Sequence, residues 1–263
     1  MAVLVPGATL AEPEPFLRAR SSIHLLGIRI DRLHLDELLR DVTIAVRTAH
    51  RITVLYVNVH CMNVAYRDAE YAAILDSADV VYCDGTGVQL GARLAGKHVP
   101  ARMTGADWIH DLCRMAIREN ISLFLLGGEE GVARSAAITL KCAHPKLQIT
   151  GARNGFGAGE HALQEIRESG ADILLAGMGT PTQEKWIAKY RDEIDVPVVW
   201  AVGALFDFVS GRISRGPRWM TGNGLEWVCR LVAEPRKLWR RYLIGNPLFL
   251  WRVMRGDGLR GEE

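Results

Sequence analysis

Asp84 stands directly after the apolar run ADVVYC and directly before Gly85, where a strand-end carboxylate can project into a cleft and take a proton from a hydroxyl. The same position suits a helix N-cap, because aspartate oxygens accept from first-turn N–H groups. Local sequence leaves both open. Arg102 lies between Pro100 and a helix that the spacing starts near Thr104. Its planar guanidinium can neutralise a diphosphate or pair with a surface acid. Gln183 follows Thr180-Pro181-Thr182 in the first turn of another helix, and can donate to a phosphate or hydroxyl or be solvated. Asp207, just beyond Gly203, can bond a base or ribose or cap the next turn, and Asn58 closes the run ITVLYVN. The turn Gly127-Gly128-Glu129-Glu130-Gly131 can bring backbone N–H groups and a helix N-terminus to a phosphate. It matches neither GxGxxG nor GxxxxGK[ST], and a plain strand-to-helix turn explains it equally well. The histidines form no ligand-spaced cluster, and there is no HExxH and no Asp-x-Asp pair. Metal-dependent chemistry is therefore not expected.

Nearly all these residues stand where an apolar strand stops. Strands are expected at Ile52–Asn58, Ala78–Cys83, Ile121–Leu126, Leu147–Gly151, Ile173–Ala176 and Val196–Val202, with helical spacing between them. Ala106–Glu119 is the clearest helix, with Trp108, Ile109, Leu112, Met115 and Ala116 on one stripe. Such alternation implies an α/β fold, built from βαβ units with right-handed crossovers and a largely parallel sheet covered on both faces. In open sheets of that kind ligands bind beyond the carboxyl ends of the strands. Residues 1–22, with three prolines and no periodicity, are expected to be a loose lead-in, residues 23–211 the α/β domain, and residues 212–263 a helical appendage.

The 263 residues are 49% hydrophobic and 24% charged, which excludes disordered, collagen-like and disulfide-scaffold classes. Five scattered cysteines without a CxxC pair read as reduced thiols of a cytoplasmic protein. The first twenty residues lack a basic start and carry Glu12, Pro13 and Glu14, which argues against a signal peptide. Val196–Phe206, the longest apolar candidate, falls short of the roughly 18 residues a membrane span needs, so a soluble or peripheral protein is expected. Charge is unevenly placed. From Arg212 to Glu263 there are 11 Lys and Arg against 5 Asp and Glu, while the remainder holds 21 against 25. Four of the seven tryptophans (Trp219, Trp227, Trp239, Trp251) share that last fifth. A basic, Trp-rich tail on a mildly acidic body suggests a surface that meets anionic headgroups or phosphates.

Taken together, VNVHCMNVAYRD, ADVVYCDGTGV, ARMTGADW, LFLLGGEEGVARSAA, the NGF of RNGFG, ADILLAGMGTPTQEKW, AVGALFDFVSG and GPRWMTGNGLEWVCRLVAEPRKLWRRYLIGN resemble the WecG/TagA/CpsF family of bacterial glycosyltransferases, in order, over about residues 25–250. The resemblance implies a Rossmann-like body with a helical C-terminal appendage that engages the inner face of the plasma membrane. It implies an inverting, metal-independent transferase, without a cofactor, that moves a sugar from a UDP-sugar onto a polyprenyl-diphosphate-linked monosaccharide for surface or exopolysaccharide synthesis. On the family pattern Asp84 matches the general base. Asn58, Arg102, Gln183 and Asp207 match residues shaping the pocket, to which the turn at Gly127 is added. Arg230, Lys237 and Arg240 match basic positions that close over the site and steady the leaving diphosphate. One departure is Tyr56, where the family often has Thr. A bulkier phenol bears on the donor sugar, so UDP-glucose stands beside the UDP-N-acetylmannosamine common in the family. A nucleotide-dependent oxidoreductase would share the alternation but is disfavoured by the missing GxGxxG. A non-catalytic membrane-recruited scaffold would account for the tail alone. No nucleic-acid partner is expected, and a homo-oligomer is left open.

Overall fold

A computed structural model describes residues 20–100, 102–157, 159–217, 219–220 and 224–256. Its centre is a six-stranded sheet in the order β4-β3-β8-β7-β5-β6, with every pairing parallel. The strands are β3 (Ile52–Val57), β4 (Val80–Cys83), β5 (Ser122–Gly127), β6 (Gln148–Arg153), β7 (Ile173–Gly177) and β8 (Val198–Ala201). The inner strands are apolar without alternation because helices cover both faces, so each side chain is buried whichever way it points. Their carboxyl ends all lie along one edge. The helices that cover them are α1 (Leu35–Arg47), α2 (Val59–Ala65), α3 (Ala69–Ser77), α4 (Thr86–Leu94), α5 (Gly105–Glu119), α6 (Val132–Ala143), α7 (Glu160–Ser169), α8 (Thr182–Tyr190) and α9 (Leu205–Val209).

An antiparallel hairpin, β1 (Ser22–Leu25) and β2 (Ile28–Asp31), precedes this body and has no counterpart among the expected strands. Its four-residue strands are too short to show a period. They are joined through Leu26 and Gly27, both at positive φ, a two-residue turn that matches strand twist. The buried Asp31 carboxylate accepts from the Val81 amide at 2.7 Å, which satisfies part of the β4 edge. Residues 1–19 of the expected lead-in lie outside the described residues, and Ser22 already belongs to β1.

Past Gly211 the chain forms α10 (Glu226–Ala233), α11 (Pro235–Trp239), a π-helical turn (Arg240–Ile244) and α12 (Gly245–Arg255). The last of these is no loose tail. Phe249 is fully buried in the same core as the sheet, and it packs so closely on Gly91 of α4 that a Cβ there would meet its ring at 2.6 Å. Arg252, also buried, donates to Asn63 Oδ1 at 2.7 Å and stacks 3.7 Å over the Tyr66 ring. The Asn63 amide in turn donates to the Gly245 carbonyl at 2.8 Å. Outward, Trp219, Val232, Trp239, Leu243, Ile244 and Met254 remain exposed. No helix among the described residues is long and apolar enough to cross a membrane.

Candidate active site

The carboxyl ends of β3, β4, β7 and β8 open into a cleft of about 1140 Å³, roofed by the appendage. Asp84 lies half-buried at its floor. The Asp84 amide donates to the Val57 carbonyl at 2.9 Å, extending the β3–β4 register (Val57 opposite Cys83) by one residue and setting its carboxylate beside Asn58. Asn58 caps α2, its Oδ1 accepting from His60 N at 3.0 Å and Cys61 N at 3.1 Å. That bond commits the amide oxygen to the helix and leaves Nδ2 to face Asp84 Oδ2 at 3.4 Å. The N-cap of α4 is Gly85, at φ +94, so Asp84 is not consumed by capping. Burial pushes the Asp84 carboxyl above its usual range; bonds from Asn58 and Thr104, and then the charges of Arg241 and Arg230, pull it back. It is a half-buried carboxylate under the influence of two cations.

Arg102 and Thr104 reach the cleft because the Met103 amide donates to the Cys83 carbonyl at 2.9 Å, tying that loop to the end of β4. Arg102 also pairs with Asp107 at 4.0 Å. Asp207 lines the cleft from the first turn of α9 and pairs with Arg212 at 3.0 Å, while Arg212 bridges onward to Glu129 at 2.8 Å. It is therefore an ion-pair partner rather than a cap. Arg230 enters from α10, half-buried, beside Phe208 at 5.4 Å and Glu234 at 3.8 Å. The buried Nε of Arg230 and of Arg241 makes no hydrogen bond within the protein. His60, also on the cleft wall, is pushed down to about 4 by burial and then by Arg241, so it is neutral near pH 7.

Three expected residues fall elsewhere, and a fourth lies outside the described side chains. Gly127 does not line the cleft. It pairs with Gly177 inside the sheet so closely that a Cβ would lie 2.2 Å from the Gly177 carbonyl oxygen, and Gly128 and Glu129 line the cleft instead. Gln183 is fully buried beneath the floor, bonded to protein groups rather than solvated. Arg240 points outward with its guanidinium 5.2 Å from the Trp239 ring, and its neighbour Arg241 is the one that lines the cleft. Lys237 lies in α11, but its side chain falls outside the described residues. Arg241, Thr104 and Thr180 went unpredicted. Nothing in an Arg-Arg pair says which member a helix turns inward.

A family model described as the Glycosyl transferase WecG/TagA/CpsF family matches residues 23–261. The chain belongs to that family. It is a glycosyltransferase. Two curated relatives carry the name N-acetylglucosaminyldiphosphoundecaprenol N-acetyl-beta-D-mannosaminyltransferase. One, from Bacillus subtilis (strain 168), is 29% identical over 188 residues, 71% of this chain and 73% of the relative. The other, from Bacillus spizizenii (strain ATCC 23059 / NRRL B-14472 / W23), is 31% identical over 194 residues, 73% of this chain and 75% of the relative. Among the described residues of the transferase, no three His, Cys, Asp or Glu gather as metal ligands.

Proposed function

We propose that the protein moves a sugar from a UDP-sugar onto a polyprenyl-diphosphate-linked monosaccharide with inversion, using Asp84 as general base. The observation that carries this is Asp84 itself: a carboxylate at a strand end, in a large cleft, under the influence of Arg230 and Arg241 from the appendage. Inversion requires one direct displacement. The base removes the acceptor hydroxyl proton as the nucleotide diphosphate departs, and cations offset the charge that develops on it. Burial makes Asp84 a better base than a surface aspartate, and Asn58 keeps its carboxylate oriented. Arg102, Arg230 and Arg241 are the charges available for the diphosphate. The relatives' shared name supports an acceptor of the undecaprenyl-diphosphate-sugar type and a donor of the N-acetylmannosamine type.

A polyprenyl acceptor stays in its bilayer, so the enzyme works at the inner face of the plasma membrane. The exposed Trp219, Trp239, Leu243 and Ile244, beside the appendage's arginines, support that docking. The test is a screen of UDP-N-acetylmannosamine, UDP-N-acetylglucosamine and UDP-glucose against short-chain lipid-diphosphate glucose and its N-acetylglucosamine counterpart, with and without EDTA. One donor–acceptor pair should turn over, equally with chelator present. Activity that vanishes with EDTA and returns with Mg²⁺ would contradict charge stabilisation by arginine alone.

A further inference from the structure

The appendage brings a second carboxyl to the cleft, one that the proposed chemistry leaves unused. Glu226 opens α10 and lines the cleft, with 15% of its side chain exposed. The turn before it is pinned beside Asp84. Thr86, two residues past Asp84, donates from Oγ1 to the carbonyl of Gly224, two residues before Glu226, at 3.3 Å. Gly224 lies at φ +77, and a Cβ there would meet the Thr86 methyl at 2.6 Å and its hydroxyl at 2.7 Å. Only glycine allows so close an approach.

Arg215, in the segment between α9 and α10, makes a second tie. Its Nη1 donates to the Ala106 carbonyl at 3.2 Å and its Nη2 to Asp107 Oδ1, both in the first turn of α5. Glu226 Oε2 stands 3.9 Å from that Nη2, within reach of its charge but beyond a hydrogen bond. Arg215 thus directs its donors to α5 and gives Glu226 only a favourable field. Among the described residues no group donates to the Glu226 carboxyl, and neither of its oxygens is sealed from solvent. Burial pushes this carboxyl up, the Arg215 charge draws it down, and the Asp84 charge pushes it up again. The two carboxyls therefore lie within range of each other's charge. A half-buried acceptor with its lone pairs open suits a neutral donor such as a hydroxyl, and repels a diphosphate.

We propose that Glu226 binds the acceptor sugar, accepting a hydrogen bond from a hydroxyl adjacent to the one that Asp84 deprotonates. This role rests on the reading of the acceptor as a polyprenyl-diphosphate-linked sugar with Asp84 as the base. A pyranose carries hydroxyls on neighbouring carbons, so a ring that presents one to Asp84 presents the next to a carboxyl beside it. The contact also selects, because a sugar lacking that hydroxyl leaves Glu226 half-buried without a donor. Since α10 carries both Glu226 and Arg230, one helix of the appendage then reads the sugar and steadies the diphosphate.

The test is steady-state kinetics of the full chain with short-chain lipid-diphosphate N-acetylglucosamine and its single-deoxy analogues, or the glucose series if glucose is the acceptor that turns over. Wild type, Glu226→Gln and Glu226→Ala are compared, with calorimetric binding of UDP and thermal melting of each. Glu226→Ala should lower kcat/KM for the acceptor about 10- to 100-fold, the range of a hydrogen bond to a charged group, and leave UDP affinity and the donor KM unchanged. One deoxy analogue should cost wild type a similar factor, yet react with Glu226→Ala no worse than the parent acceptor does, because variant and analogue remove the same bond. Glu226→Gln, which keeps the shape and one acceptor oxygen, should fall between wild type and Glu226→Ala. If Glu226→Ala does not fold, Glu226→Gln carries the same cycle with a smaller factor. Losses that multiply for every reactive analogue overturn the proposal and leave Glu226 as a tether of the appendage. A fall in UDP affinity or a raised donor KM overturns it in favour of a donor contact. Wild type that turns over no lipid-linked acceptor removes the acceptor reading itself, a result distinct from an active enzyme indifferent to Glu226→Ala.

Discussion

At the scale of single residues, Asp84 and Glu184 are two carboxyls that burial raises in different surroundings. Asp84 is half-buried and meets Asn58, Thr104 and two arginines, which together keep its ionised form accessible. Asp84→Asn should therefore keep nucleotide affinity and lose about 10²–10⁴-fold in rate on a defined acceptor, the usual range for a general base. Near-normal turnover would remove Asp84 from the role. Among the described residues no cation pairs with Glu184, and burial first of all holds its carboxyl up to about 7, against an ordinary 4.5. The folded protein then keeps a proton that the unfolded chain has released. Stability from this source is full below pH 4.5 and is lost as pH rises through about 7. The shift corresponds to at most about 3 kcal/mol. Thermal melts from pH 5 to pH 8 should show wild type falling relative to Glu184→Gln; parallel curves would mean that burial does not perturb the carboxyl.

At the scale of elements, helix phase decides which cations face the cleft. The π-helical turn at Arg240–Ile244 offsets the appendage between α11 and α12, and it directs Arg241 to the cleft while Arg240 lies along Trp239. Arg241→Ala should cost about 10²-fold in rate, comparable to losing one preorganised donor for developing charge. Arg240→Ala should stay within about twofold of wild type in a soluble-acceptor assay. Equal losses would place both guanidinia on the diphosphate. The same phase sets Phe249 and Arg252 inward on α12, where Gly91 gives the ring room and Asn63 takes the guanidinium.

At the scale of the molecule, the appendage has two faces. The inner one belongs to the body's core through Phe249 and Val253, so a chain cut after Gly211 would uncover the faces of α2 and α4. Membrane docking is better tested on the full chain. Each cation near an anionic surface contributes on the order of 1 kcal/mol, and exposed tryptophans favour the interface. Trp239→Ala combined with Trp251→Ala should release the protein from anionic vesicles in sedimentation, and high salt should do the same to wild type. Turnover of a water-soluble acceptor should hardly change. Sedimentation that ignores both would assign the outer face a different partner.

The alternation of apolar runs with helical spacing determined the α/β body, because a strand buried on both faces has to be apolar throughout and its helices must show a 3.6-residue stripe. Asp84, Asn58 and Asp207 were legible for a related reason: polar residues that stop an apolar strand, or closely follow it, end up at the sheet's carboxyl edge. The short β1–β2 hairpin was not, since four residues carry no period. Tertiary structure alone decided that Gln183 lies under the floor rather than in it, because the neighbours that bury it, Tyr56 and Gly203, are distant in the chain. It also chose Arg241 over Arg240 and made α12 part of the core. Those choices depend on which way a helix faces once it is packed, and a run of arginines and aromatics is compatible with either face until a partner such as Gly91 or Asn63 is in place.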